Sequence, residues 1–288
     1  MHVARSQSAM EYLMTYGWAI LIIAVVLAVL FQLGVFSGGN FLPKAQAGSC
    51  QVSRTIAGVS LEGQCNGMLP EYVASFNGVS SSRITIPNAA ALNPSTAMTV
   101  SGWIFSNQPG TGNCDAELVA NKFANPEGYT LGLGYAQDPF ALIGNTVTFI
   151  APDFGSSQYE TYGQWRFIAL TFSPSAQLAT GYVNYNGALA SIAGGLASIA
   201  TSTQALYIGG GCLPGDVANV QLYNTSLSSS ELLQLYTEGI GGAPIRPQNI
   251  VGWWPLNGNA NDYSGNGNNG QLNGVTFSSS WENGYTAP

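Results

Sequence analysis

The chain has 288 residues, of which 46% are hydrophobic and only 7% charged, with 36 glycines and a net charge of −7. An average soluble protein carries roughly 25% charged residues, so this is neither a disordered, charge-rich chain nor one short of core-forming side chains. Its length fits roughly two domains, or one large β-sandwich with an accessory segment. The seven Lys and Arg residues are scattered singly from Arg5 to Arg246. No basic stripe exists to neutralise phosphates, and nucleic acid is not an expected partner. The single histidine, His2, stands at the extreme N-terminus. The body of the chain therefore has no Ser-His-Asp or Cys-His mechanism and no His-ligated metal site.

Residues Tyr12 to Phe36 form a run of 25 residues without a charge. As a helix it spans about 37 Å, enough for a bilayer core of roughly 30 Å. The run is longer than the apolar region of a secretory signal, about 7–15 residues, so it predicts a retained transmembrane helix. Arg5 precedes it, which predicts a cytoplasmic N-terminus and an outward-facing remainder. The expected place is the cell membrane, with an extracellular domain or an extracellular filament, and the lipid bilayer is the first expected partner.

Ser37–Asn40 and Pro43 then open a linker. Four cysteines follow, Cys50, Cys65, Cys114 and Cys212, with spacings of 15, 49 and 98 and no CxxC pair. An even count behind an apolar span predicts disulfides rather than zinc, and four cysteines allow three connectivities. The pairing preferred is Cys50–Cys65, around a short hairpin or tight loop, with Cys114–Cys212.

From Glu71 onward the pattern is of short alternating strands separated by Gly, Asn, Pro and Ser. They are 72–78, 83–87, 98–106, 117–123, 128–135, 146–151, 165–173, 181–187 and 205–210. Such spacing predicts an antiparallel β-sandwich. One helix interrupts it: Ser228 and Glu231 form a capping-box pattern and Gly239 supplies the stop. Trp103 and Trp165 read as core, and strand alternation sends one of Trp253 and Trp254 inward and the other outward. Asn224-Thr225-Ser226 is a glycosylation sequon.

The N-terminal stretch RSQSAMEYLMTYGWAILIIAVVLAVL resembles archaeal type IV-like prepilins with a class III-type signal. That resemblance implies cleavage between Ser6 and Gln7, although such leaders usually carry Gly where Ser6 stands. Glu11 then becomes the fifth mature residue. A carboxylate at the edge of an apolar run needs a cation, and the new α-amine of a neighbouring subunit supplies one. Like subunits of a pilus-like filament are the implied partners; the alternative places Glu11 in the headgroup region of a solitary anchor.

The stretches SFNGVSSSRITIP, LNPSTAMTVSGWI, WRFIALTF, GYVNYNG, LYIGGG and NVQLYNTSLSSSEL resemble laminin-G-like, concanavalin A-like jelly rolls, as does residues 250–277. In that family the last segment normally opens the domain, which implies circular permutation, a truncated repeat or a strand donated to a neighbour. The organisation expected is a leader over 1–6, a transmembrane and assembly helix over 7–36, a linker with a Cys hairpin over 37–70 and a jelly roll over 71–288.

Relatives bind sugars or calcium, and one branch cleaves β-glucans. The glucanase strand E-x-D-x-x-E is missing; Asp115 and Glu117 share a strand face but lack the third acid, so no catalytic residue is assigned. The turn DYSGNGNNG sets Asp262 and Asn266 among oxygen donors suited to calcium. Asp216 is the one carboxylate near the family's second acidic stretch, where Ala218 and Asn219 replace its acids. Gly- and Asn-rich turn chemistry alone also accounts for this motif. For surface glycans, Phe154, Tyr159 and Tyr162 are the candidate stacking platform, with ordinary loop packing as the other reading. The function expected is adhesion by a pilin-like subunit with a jelly-roll head, against a solitary surface lectin or a glycan-cleaving enzyme.

Overall fold

The computed structural model describes residues 8–32, 53–54, 61–62, 69–107, 116–134, 138–150, 154 and 162–288, with side chains over 16–28, 69–107, 118–134, 138–150, 154 and 162–288. The chain divides into two compact units, Met1–Lys44 and Ala45–Pro288.

The first unit holds helix α1 (Ser8–Gln32), 25 residues long. From Tyr16 through Leu27 its large apolar side chains are exposed on every side, including Trp18, Ile20, Ile23 and Val26. A helix apolar all round has no solvent face of its own. Among residues described with side chains, no helix is long and apolar enough to cross a membrane; the backbone of α1 itself rises about 37 Å.

The second unit begins with β1 (Ser53–Arg54) and β2 (Leu61–Glu62), which pair antiparallel between Cys50 and Cys65. The sandwich follows in chain order. Its first strands are β3 (Val73–Asn77), β4 (Arg83–Ile86), β5 (Met98–Ser106), β6 (Ala116–Asn121) and β7 (Gly128–Gly134). Next come β8 (Pro139–Gly144), β9 (Phe149–Ile150), β10 (Arg166–Ser173), β11 (Leu178–Tyr185), β12 (Ala188–Gly195), β13 (Leu206–Gly209) and β14 (Pro214–Tyr223). Helix α2 (Ser229–Thr237) precedes β15 (Ile250–Trp254), β16 (Gln271–Asn273) and β17 (Val275–Ser278).

Two antiparallel sheets result. The first has the order β12-β11-β10-β5-β14-β3-β17, with β15 also on β14; the second runs β16-β4-β13-β6-β7-β8-β9. Strand β14 carries two partners on the edge away from β5. Strand β3 lies against Pro214–Val217 and β15 against Val220–Tyr223. At the junction Asn219 takes a positive φ of 50° inside a register shift. The closing segment 250–278 thus contributes strands to both sheets within its own chain.

The main core lies between the sheets and is built from alternate residues such as Ile84, Ile86, Ile104, Leu131, Phe172 and Trp254. The other face of the first sheet is also covered. A second cluster joins Trp103, Phe105, Phe167 and Trp253 to Leu232, Leu235 and Tyr236 of α2 and to Trp281. All nine residues of β5 are consequently buried. Helix α2 is held by the expected box: Ser228 accepts from the Glu231 amide and the Glu231 carboxylate accepts from that of Ser228. Gly239 follows with φ 79°, a conformation only glycine adopts without strain.

Several expectations need correction. Trp253 does not face outward into solvent: it lies in the second cluster, 3% exposed, while Trp254 fills the main core. The strand expected over 146–151 shrinks to Phe149–Ile150, because Asn145 Oδ1 accepts from the amides of Val147 and Thr148 and turns the chain there. Strands β8, β12, β14, β16 and β17 fall outside the expected set; Pro139 and the small-residue run ALASIAGG hide the first two from propensity reasoning.

Candidate functional site

The turn proposed for a cation is a self-satisfied structural loop. Asp262 Oδ1 accepts from the amides of Trp253 (3.0 Å) and Ser264 (2.8 Å), and Oδ2 from that of Asn268 (2.9 Å). Asn266 Nδ2 donates to the carbonyls of Ile250 and Val251. Side chains read as ligands are here the pins that fold 262–268 back onto β15. Asp216 does not join them. It pairs across β14 with Ser75 and Phe105, whereas Trp253, which binds Asp262, pairs with Gln221. Five strand residues separate the two positions, roughly 16 Å. Burial pushes the Asp216 carboxyl above its ordinary range, and a hydrogen bond with Ser75 offsets part of that. Among the described residues no group of three or more His, Cys, Asp or Glu side chains could hold a metal ion. In this structure both Asp262 carboxylate oxygens are engaged by backbone amides, and Asp216 lies elsewhere along β14.

Of the expected aromatic platform, the structure describes Phe154 and Tyr162. Phe154 is part of the main core, so its ring is not offered to a ligand. Tyr162 is exposed, at 59%, and Tyr159 lies outside the described residues. Ser6, Gln7, Cys50, Cys65 and Cys114 lie outside them too. Glu11 falls in the N-terminal part of α1, without a described side chain. Cys212 is disulfide-bonded and sits at a positive φ of 69°; the expected pairing is not among the described contacts. Asn224 is exposed at the end of β14. Its carboxamide oxygen accepts from Asn249 Nδ2 at 3.0 Å, so that bond does not use the nitrogen a glycan would modify.

A different surface groups polar and aromatic side chains. The outer face of the first sheet lies under α2, Trp281 and the other members of the second cluster. Among the described residues no such cluster covers the outer face of the second sheet. Strand alternation places Ile84, Ile86, Leu206 and Ile208 in the core and sends Arg83, Thr85 and Tyr207 to that outer face. Cross-strand register then aligns one row over the sheet: Gln271, Thr85, Tyr207, Asn121, Thr130 and Leu142. Gln271 is exposed, Thr130 buried, and the other four half-buried.

Beside this row, two residues along β4 from Thr85, Arg83 Cζ lies 4.1 Å from the centroid of the Tyr207 ring, a cation–π contact. Arg83 Nε is buried and without a hydrogen-bond partner among the described residues. A guanidinium held over an aromatic ring, flanked by hydroxyl and carboxamide groups, offers stacking surface and fixed donors on one rigid sheet. Ring faces, hydroxyls and carboxamides of this kind can engage a hydroxyl-bearing ligand. Sequence reasoning passed over these residues, although the alternation in RITI and LYIG was the signal for them.

The family profile described as Laminin_G_3, concanavalin A-like lectin/glucanases superfamily, matches residues 77–233. A search of curated proteins finds no match. Among solved structures, a candidate carbohydrate-binding protein of Bacteroides ovatus superposes with a TM-score of 0.52 at 15% identity, covering 73% of this chain and 61% of that one. The chain thus spans under two thirds of that relative, and the likeness is one of fold. A heptameric SAP-like pentraxin of Limulus polyphemus gives a TM-score of 0.41 at 10% identity, covering 57% of this chain and 81% of its own. Domains LG4-5 of the mouse laminin α1 chain give 0.41 at 12%, covering 55% and 43%.

Proposed function

The chain belongs to the Laminin_G_3 family of concanavalin A-like lectins and glucanases, and from that premise we propose that it is a membrane-anchored, pilin-like surface subunit whose sandwich head binds glycans. The observation that carries the binding reading is the asymmetry of the two sheets. One outer face is sealed by α2 and aromatic side chains. The other carries the half-buried Arg83–Tyr207 pair beside a mostly polar row, held rigid by the core beneath.

Anchoring rests on α1. Its exposed apolar side chains on all sides have to be covered by lipid or by like helices. Expected cleavage between Ser6 and Gln7, which makes Glu11 the fifth mature residue, favours assembly with like subunits over a solitary anchor. A circularly permuted sandwich is supported by β15, β16 and β17, which reach β14, β4 and β3 in cis. The head is read as binding its ligand rather than cleaving it.

A glycan-array screen of the unit from residue 45 to 288 tests the binding reading. Retention on a defined set of oligosaccharides is expected. Failure to bind any glycan on a broad array would refute it.

A further inference from the structure

Lysine is rarely fully buried without a partner of opposite charge. Lys122, immediately after β6, is 0% exposed, and among the described residues no carboxylate pairs with it. Its Nζ instead donates to the Gln204 carbonyl and, at 2.6 Å, to the side-chain oxygen of Asn88. That oxygen accepts a second bond, from Asn93 Nδ2 at 3.1 Å. Asn93 is fixed in turn, because its own Oδ1 accepts from the Ser202 amide. An amine stripped of water thus lies against a carboxamide whose carbonyl is polarised from the other side.

We propose that Lys122 and Asn88 join in an intramolecular isopeptide bond. Desolvation favours the amine's neutral, nucleophilic form and brings its pKa down from 10.5 to about 8. The Nζ lone pair attacks Cγ of Asn88 as the carbonyl π pair moves onto Oδ1, where the Asn93 N–H stabilises the developing charge. On collapse the carbonyl reforms and the Cγ–Nδ2 bond breaks. The departing nitrogen takes a proton from Nζ and leaves as ammonia. One amine and one carboxamide become one secondary amide plus ammonia, and no oxidant or reductant enters. Asn88 is an exposed residue, which gives the ammonia a route to solvent. Strands β4 and β6 flank β13, so the bond clamps the second sheet across β13.

The chain has only two lysines, Lys44 and Lys122, which makes the test direct. The purified full-length protein is reduced, denatured, acetylated with an amine reagent and digested at acidic residues. The expected product is a branched peptide joining Asn88 to Lys122, lighter by about 17 Da than its two linear parts. It is absent from Lys122→Arg and Asn88→Ala. Only linear peptides in the wild type, with Lys122 acetylated as fully as Lys44, would overturn the proposal.

Discussion

Trp281 donates its indole N–H to the carbonyl of Pro70 at 3.1 Å, which ties the end of the chain to the start of the sandwich. The same residue accepts at its carbonyl from Trp165 Nε1 at 2.9 Å, and the two rings meet edge to face. The closing segment is therefore a structural part of the domain that it follows.

Removing residues 250–288 strips β15 from β14, β16 from β4 and β17 from β3. The bare strand edges and the uncovered main core are expected to drive association. Sedimentation velocity should show the 45–288 unit as a monomer and the truncated form as aggregates. A stable truncated monomer would contradict the integral role of the segment.

Asp262→Ala leaves three backbone amides without their acceptor, and hydrogen bonds to a charged group are the stronger kind. A loss of about 2–3 kcal/mol in denaturant unfolding is expected. Adding calcium should not move the wild-type midpoint, since both carboxylate oxygens already serve the loop.

The strand pattern, the capping box and the buried Trp103 and Trp165 were legible because alternation and local capping leave strong marks in sequence. The partner layers were not. Nothing local in VGWW says that Trp253 will be covered by a second cluster formed with a helix and a C-terminal aromatic distant in sequence. The DYSGNGNNG turn is ambiguous in sequence for a related reason. Acid and amide side chains that bind a cation and those that bind their own backbone look alike until the amides are placed. Arg83 and Tyr207 lie 124 positions apart, and only the pairing of β4 with β13 makes them neighbours.

Burial holds the Asp216 carboxyl above its ordinary 3.8. With the folded-state value raised, its contribution to stability is fully present below the unfolded value and is lost as pH rises through the raised one. Asp216→Asn should therefore match the wild type in acid and gain on it towards neutral pH. Parallel curves of Tm against pH would contradict this.

Glu11→Ala should leave membrane insertion intact and lower incorporation into filaments, because the intersubunit charge pair alone is lost. Quantitative mass spectrometry of sheared surface material, scored against the membrane fraction, checks it. Equal incorporation of variant and wild type would refute the pairing.

The proposed glycan site is the outer face of the second sheet around Arg83 and Tyr207. The direct measurement is calorimetric titration of the 45–288 unit with its best array ligand, beside Arg83→Ala, Tyr207→Ala and a Tyr162→Ala control. Loss of stacking and of a fixed donor is expected to weaken binding about tenfold or more in the first two, with the control unchanged. Unaltered affinity in Arg83→Ala and Tyr207→Ala, with both variants folded, would contradict the account.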